Sequence, residues 1–251
     1  MIKIIPIKTK LLLKNPLAEI FKVIKNKIKN QDILVLTSKI ISLEYNGLIN
    51  LNKIVFNQQA LKLAKKYAIS PQFAEIVINE SDLILGGVKG AILTLKNGIL
   101  MANAGIDASN VPLNHVAKLP KKLAKIANFI RNNLCHSLSL SELGVVIIDS
   151  VCLPLRKGTH HYALAISGFN GIIDEREKND LFQKQMKITT HNMADEIASA
   201  AGLIMGERDQ KIPAVIIRGL KVKFSNLSAK KLTKQLIISR KNDLFQDVIK
   251  I

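Results

Sequence analysis

The sequence predicts an α+β fold of mixed and antiparallel sheets with packed helices. Two observations carry this. The apolar runs 91–95 and 99–102 flank Lys96-Asn97-Gly98, and Asn-Gly between apolar strands is the strongest short signal for a hairpin. The helical segments do not alternate regularly with the strands, as they would around a doubly wound parallel sheet.

The elements follow in order. Ile2 to Ile7 reads as a first strand, and Leu17, Ile20, Phe21, Ile24 and Ile28 recur at helical spacing after Pro16, which a helix start tolerates. Asp32 to Leu36 is a short strand. Ala60, Leu61, Ala64 and Tyr67 define a helix over 58–68, and Ser70-Pro71 opens another that runs to about residue 79. The polar Glu80-Ser81-Asp82 leads into the apolar 83–85, then into the hairpin. Past Pro120, Leu123, Ile126, Ala127, Ile130 and Leu134 form an amphipathic helix with a solvated basic face. Residues 144–148 and 162–166 read as strands, and Gly168 and Gly171 mark a turn. Thr190 or Asn192 begins a helix through Ala194, Ile197, Ala198 and Ala201, ending near Gly206. Ala214 to Ile217 is a last strand before a Lys-rich tail with helix character from Ser228 to about Leu236. No internal repeat or long linker divides the chain, so its 251 residues are read as one domain, 1–251.

Composition narrows the function classes. Lys and Arg number 37 against 19 Asp and Glu, a formal charge of +18, but the lysines are spread among isoleucines and asparagines along the whole chain. With three Tyr, eight Phe and no Trp there are few platforms for stacking bases, so nucleic acid is disfavoured as a partner. Cys135 and Cys152 make no disulfide framework, have no metal-type spacing, and are expected as buried thiols. Lys3 and Pro6 interrupt the N-terminal apolar stretch, and no run approaches the roughly 18 apolar residues of a membrane span. A soluble cytoplasmic protein is expected, with no membrane partner.

Two strand-end aspartates are the sharpest chemical feature. Asp107 sits in the polar loop Asn103-Ala-Gly-Ile-Asp-Ala-Ser-Asn110, and Asp149-Ser150 follows the apolar run 144–148. Mg²⁺ and Mn²⁺ prefer oxygen ligands and are commonly held by one or two carboxylates with phosphate and water. Turn or helix capping is the plainer role for both. Glu207, in the small-residue loop Met205-Gly206-Glu207-Arg208-Asp209, is a candidate for a second ion site or an ordinary surface charge. His160 and His161 are read as non-ligands, because neighbours on a strand point to opposite faces. Asp195 and Glu196 suit the first turn of a helix, and Arg156-Lys157 suits either an anionic substrate or solvent. There is no Walker A pattern, and Gly86-Gly87 with Gly90 lacks the rest of a dinucleotide loop.

These motifs together resemble the coenzyme F420-0:γ-glutamyl ligase family. The resemblance rests on the 103–111 loop, Val145-Val-Ile-Ile-Asp-Ser150, Asp180-Leu-Phe, Ala194-Asp-Glu-Ile-Ala198, Met205-Gly-Glu207 and the run from Ile212 to Leu220, in that order. It implies a GTP-dependent ligase that joins the amine of L-glutamate to a carboxylate of a coenzyme acceptor of the F420-0 type, using two Mg²⁺ or Mn²⁺ ions, and an intertwined homodimer. On the matching positions it implies Asp107 and Asp149 on the first ion, and Ser150 and Glu207 on the second. GTP would be touched by Ser38, Lys39, Asn110 and the loop Met205, Gly206, Glu207, Arg208 and Asp209. No residue stands out as a general base.

The chain departs from the family pattern in four places. Thr9-Lys10-Leu11-Leu12 replaces an N-terminal Gly-x-Pro, Leu43 stands where a nucleotide-contacting lysine is expected, and Cys152-Leu153 and Gln183-Lys184 each replace a Gly-Arg. The same glutamylation chemistry on a folate-type acceptor is therefore a second reading. A nucleotide or nucleic-acid binder without turnover is a third.

Overall fold

The computed structural model describes residues 1–12 and 14–249. Along the chain its elements are β1 (Lys3–Ile7), α1 (Pro16–Ile24), β2 (Ile33–Thr37), α2 (Ser38–Glu44), β3 (Leu48–Asn50), α3 (Gln58–Tyr67), α4 (Pro71–Glu80), β4 (Leu83–Val88), β5 (Ala91–Lys96) and β6 (Ile99–Ala102). There follow β7 (His115–Ala117), α5 (Leu123–Leu138), β8 (Gly144–Cys152), β9 (Thr159–Ser167), β10 (Ile172–Asp174), β11 (Thr190–Asn192), α6 (Met193–Met205), β12 (Ala214–Arg218) and α7 (Ala229–Lys234). This is an α+β arrangement with mixed and antiparallel sheets. No helix among the described residues is long and apolar enough to cross a membrane.

The elements group into two compact units whose segments interleave along the chain. The first takes the described residues of Met1–Ser38, Lys121–Ser150 and His160–Leu236; the second takes those of Lys39–Pro120, Val151–Thr159 and Ile237–Ile251.

The first unit is built on a five-stranded sheet in the order β1-β12-β2-β8-β9. β12 is antiparallel to β1 and to β2, while β2 and β8 run parallel with Ile33 opposite Gly144 and Thr37 opposite Ile148. Parallel strands buried on both faces read as continuous apolar runs, and these do. Ile33, Val35, Val146, Ile148, Val215 and Ile217 pack with Ala194, Ile197, Ala198 and Ala201 of α6. The alternate residues Leu34, Leu36, Val145, Ile147 and Ile216 are also fully buried, so the opposite face is covered too.

The second unit pairs a meander, β4-β5-β6, with the short ribbon β3-β7 and the helices α3 and α4. Asn97 and Gly98 sit at φ 51° and 79° between the paired Lys96 and Ile99, the backbone that a two-residue hairpin turn demands and that Asn-Gly adopts readily. Asn57 accepts from the Ala60 amide at 2.9 Å and Ser70 from that of Phe73 at 3.2 Å, capping α3 and α4. Ala60, Ala64 and Ala74 bring those helices together, and Tyr67, Ile76, Val77, Ile92, Ile106 and Val116 form the main core.

Several expectations are corrected. The helix of the first apolar repeat stops at Ile24 rather than continuing to Ile28; the Asp32 carboxylate takes the Lys29 amide at 2.7 Å and the chain turns there, although Ile28 remains buried. α2 and the strands β3, β7, β10 and β11 carry no legible period at their length. Lys96, grouped with Asn97-Gly98 from the sequence, is a buried residue of β5. Cys152 is exposed and Cys135 only half-buried, so neither is the buried thiol expected.

Two carboxylates in these cores make testable demands. Asp32 is fully buried and accepts from Arg218 Nε at 2.8 Å and Nη2 at 2.7 Å. Removing one partner of a buried pair leaves an uncompensated charge, so Arg218→Met is expected to cost about 3 kcal/mol in a urea unfolding measurement. Glu80 receives Lys96 at 2.8 Å and Lys118 at 2.8 Å. Burial acts to raise its carboxyl pKa, but the two lysines outweigh burial and hold it below the ordinary value. A carboxyl depressed in the folded state stabilises fully above its unfolded value of about 4.3 and loses that contribution as pH falls through the folded value. Glu80→Gln is therefore expected to flatten the acid limb of the stability profile below about pH 4, read by denaturation between pH 2 and 7.

Candidate functional site

In the second unit, Ile106 packs into the core and Asp107 exchanges two backbone bonds with Ala117, at 3.0 and 2.8 Å, so the backbone beneath the carboxylate is pinned. The side chain is held as firmly. Asp107 Oδ1 accepts from the Ser109 amide at 2.7 Å, and Oδ2 accepts from Ser109 Oγ at 2.8 Å and from Lys39 Nζ. Lys39 Nζ also donates to the Ser109 carbonyl at 2.7 Å. Burial acts to raise the Asp107 carboxyl pKa, but the Lys39 ammonium and the Ser109 donors hold it below the ordinary value, so it stays ionised. Among the described residues these three bonds use three of the roughly four lone-pair positions of a carboxylate, leaving one on Oδ1 for a further partner. Asn110 follows at φ 52° and is exposed.

Three residues gather in the first unit. β8 is buried through Ile148, and burial relaxes at Asp149 and Ser150. The strand does not end there, as the sequence suggested, but continues to Cys152, so Asp149 is a strand residue and not a loop one. Its Oδ1 accepts from the Ser150 amide at 2.9 Å. Ser150 Oγ donates towards Glu207, at 3.2 and 3.4 Å from the two carboxylate oxygens. Glu207 arrives just beyond α6. Met205 is the last helical residue and its side chain is buried in the core, so only its backbone is free for a ligand. Gly206 turns the chain at φ 65°, where a Cβ would lie 2.5 Å from Gln210 Cδ. Arg208 donates its amide to Gln210 Oε1 at 2.9 Å, and Asp209 is exposed.

The structure thus joins Lys39 to Asp107, and Ser150 to Asp149 and Glu207. Ser38 opens α2 as a buried residue of the first unit. Arg156 and Lys157 are exposed on the 151–159 segment. Asp195 is fastened by the Ala163 amide at 2.8 Å and by Asn192 Nδ2 at 2.7 Å, which makes it a bolt between β9 and the start of α6. Among the described residues no three His, Cys, Asp or Glu side chains converge as a protein-only metal cage.

Two neighbours were not assigned to this group from the sequence, where His161 is read as a non-ligand and Tyr162 only as a strand residue. His161 has a side chain only 13% exposed and places Nε2 3.7 Å from Glu207 Oε1. Burial pushes its imidazole pKa down, against the pull of Glu207. Its seat is open because residue 202 is glycine: a Cβ there would lie 2.2 Å from His161 Nδ1. Tyr162 has a buried hydroxyl with no hydrogen-bond partner among the described residues, and burial together with the Asp149 and Asp195 charges pushes its pKa far up, keeping it neutral. The His-His pair was the one available signal for His161, but strand alternation could not say which neighbour would face Glu207.

Comparison with known proteins places the chain in a family. The sequence model of the family described as F420-0:Gamma-glutamyl ligase matches residues 2–219. The chain belongs to that family. It is 36% identical over 221 residues to the coenzyme F420:L-glutamate ligase of Methanocaldococcus jannaschii, covering 88% of this chain and 86% of the relative. It is 32% identical to the enzyme of that name from Methanococcus maripaludis strain C7, over 88% of each chain, and 31% identical to that of Methanopyrus kandleri, over 88% and 87%. The matched region contains every candidate position from Ser38 to Asp209 in this member of the ligase family.

Gly202→Ala tests the seat of His161. The added methyl must displace the imidazole, so loss of about 1–3 kcal/mol of stability is expected from overpacking, together with a shift of the His161 ring resonances in an NMR spectrum.

Proposed function

We propose that this chain is a glutamate ligase that consumes GTP to form an amide between the amine of L-glutamate and a carboxylate of a coenzyme F420-0-type acceptor. Membership of the ligase family and relatives bearing that activity in their names support the reading. The observation that carries it at the level of residues is the convergence of the Ser150 hydroxyl with the Glu207 carboxylate beside Asp149, from positions far apart in sequence.

The donors fit a hard divalent cation. They are carboxylate and hydroxyl oxygens, the type Mg²⁺ and Mn²⁺ prefer, and the protein supplies only part of a shell that phosphate and water complete. Asp107, Asp149, Ser150 and Glu207 would be the ion ligands. When bound, such ions neutralise charge on transferring phosphoryl oxygens. A carboxylate is a poor acyl donor. Transfer of the terminal phosphoryl group of GTP to the acceptor carboxylate makes an acyl phosphate and releases GDP; attack by the glutamate amine then forms the amide and releases phosphate and a proton.

The chain's own residues prepare these steps. Ser109 and Lys39 keep the Asp107 carboxylate ionised and oriented. Lys39 supplies a cation at that loop, and Ser38, Asn110 and the 205–209 loop are the further GTP contacts of this reading. Cytoplasmic residence, an intertwined homodimer and one functional domain over 1–251 belong to it as well. The interleaving of both units along the chain fits the last of these.

The acceptor has a second candidate. Cys152-Leu153 and Gln183-Lys184, standing where the family pattern has Gly-Arg, favour weighing a folate-type acceptor as well. Purified protein given glutamate, Mn²⁺, GTP or ATP and either acceptor is expected to release GDP and to add a glutamate mass to the F420-0-type acceptor. Product only with folate would move the assignment to the second reading, and no nucleotide cleavage with either would overturn the ligase. Asp107→Ala and Asp149→Ala are each expected to lower turnover by roughly 100-fold or more with the circular dichroism spectrum unchanged, because several kcal/mol of charge stabilisation would be removed.

A further inference from the structure

The segment before Asp107 has an uncommon backbone. Asn103, Ala104 and Gly105 lie at φ 52°, 53° and 71°, three consecutive residues in the left-handed region. Asn and Gly enter that region readily; Ala does not, and Ala104 is fully buried. A conformation of this kind persists only where its surroundings over-determine it.

The surroundings are one face of β5. The Ile92 amide donates to Asn103 Oδ1 at 2.8 Å. Two residues on, the buried Thr94 hydroxyl receives the Ala104 amide at 2.9 Å and donates to the Met101 carbonyl at 2.8 Å, so both its hydrogen-bonding roles are spent on this turn. Two residues further, Lys96 Nζ donates to the Ala104 carbonyl at 3.3 Å. Thr94 and Lys96 share a face because strand side chains alternate, and with the backbone amide of Ile92 they meet consecutive parts of the turn. Lys96 can be buried there because Glu80 neutralises it at 2.8 Å, and Lys118 fixes the other oxygen of Glu80, also at 2.8 Å. Beyond the turn, Ile106 is anchored in the core and Asp107 in its bridge to Ala117. Nothing between Asn103 and Asp107 is left to local preference.

We propose that Thr94 and Lys96 are positioning residues for the Asp107 carboxylate: from one face of β5 they hold Asn103–Gly105 in a left-handed turn and so set the direction in which Asp107 meets a divalent cation. The proposal rests on the assignment of Asp107 to cation binding made above. Neither side chain touches the cation or a reacting atom. Their effect passes through the backbone of Ala104.

Mn²⁺ titrated into the full chain, with the free ion read by electron paramagnetic resonance, separates the two claims. Asp107→Asn defines the class of sites that depends on this carboxylate. In that class Thr94→Val, close in shape but without the hydroxyl, and Lys96→Met are each expected to weaken Mn²⁺ binding by about tenfold. Thr94→Ser, which restores the hydroxyl, is expected to return it to within about threefold of the original chain. A general loss of packing would give no such rescue, and the Ala104 amide is expected to exchange faster in Thr94→Val than in Thr94→Ser. Original affinity in folded Thr94→Val and Lys96→Met, with affinity lost in Asp107→Asn, would overturn the positioning role alone. Original affinity in Asp107→Asn would overturn the assignment beneath it, and the proposal with it. Should Thr94→Val unfold, Lys96→Met read against Thr94→Ser decides the matter by the same affinities.

Discussion

Strand β8 runs beside β2 and β9, and from Val145 to Ile148 its side chains are no more than 1% exposed. Each buried Val or Ile contributes about 1.5–3 kcal/mol relative to exposure, and a slip of one residue would exchange the faces of the whole run. Both faces are buried, so a slip would leave the run apolar, and register is fixed by the shape of the packing instead. Gly144 tightens it further, because a Cβ there would lie 2.3 Å from Ile33 Cδ1 and 2.9 Å from the Phe169 ring. The height at which Asp149 and Ser150 leave the apolar layer is set by this packing and not by any feature of the two polar residues. Glu207 is placed by the same core from the other side, since Met205 locks the end of α6 into the cluster that contains Val146 and Ile148. The oxygen donors of the first unit are thus consequences of one buried strand.

A second constraint concerns charge. With 19 acidic residues against 37 basic ones, the chain gives three of the carboxylates that leave bulk water a cation, while Asp195 relies on the Ala163 amide and Asn192. Asp32 has Arg218, Glu80 has Lys96 and Lys118, and Asp107 has Lys39. The pairs serve different ends. At Asp32 and Glu80 the cation offsets the desolvation of a structural carboxylate and holds distant segments together. At half-exposed Asp107 the same chemistry keeps an anion ionised while leaving lone-pair capacity unused, which suits a ligand and not a core. The excess of lysine at the surface needs no partner for its explanation, and it speaks to solubility more than to specificity.

What could be read from the sequence follows the same physics. The Asn97-Gly98 hairpin, the helix start at Ser70 and the apolar runs of β2, β8 and β12 were legible because local preference and tertiary packing agree there, and of Thr190 and Asn192 it is Asn192 that caps α6. α2 and the three-residue strands were not, since a turn or two of chain carries no measurable period. Asp107, Asp149 and Glu207 stood out as carboxylates in small-residue settings, but Asp149 was misjudged as a loop residue: two polar residues after an apolar run look like a strand end whether or not the ladder continues. Lys96 was grouped with Asn97-Gly98 because the apolar run ends at Leu95, and its partner Glu80 lies 16 positions away. Tyr162 gave no local signal and His161 only that of the His-His pair, for their surroundings are made by α6 and by Asp149.

The two left-handed turns of the second unit show why the Asp107 loop was the harder one to read. At Asn97-Gly98 the residues themselves favour positive φ, so the turn forms wherever its strands pair. At Asn103-Ala104-Gly105 the middle residue opposes the conformation, at about 1–2 kcal/mol for a left-handed residue with a Cβ. Besides the local bond from the Ile106 amide to the Asn103 carbonyl at 2.9 Å, that cost is offset by bonds from Thr94, Lys96 and the Ile92 amide, none of which adjoins the turn in sequence. A loop specified locally would place its carboxylate as loosely as loops generally do. One specified by a strand face inherits the rigidity of the sheet, and a cation ligand needs that rigidity if the ion is to meet its oxygen without further rearrangement. The illegibility of this turn and its fitness to carry Asp107 therefore have the same origin: its shape belongs to β5.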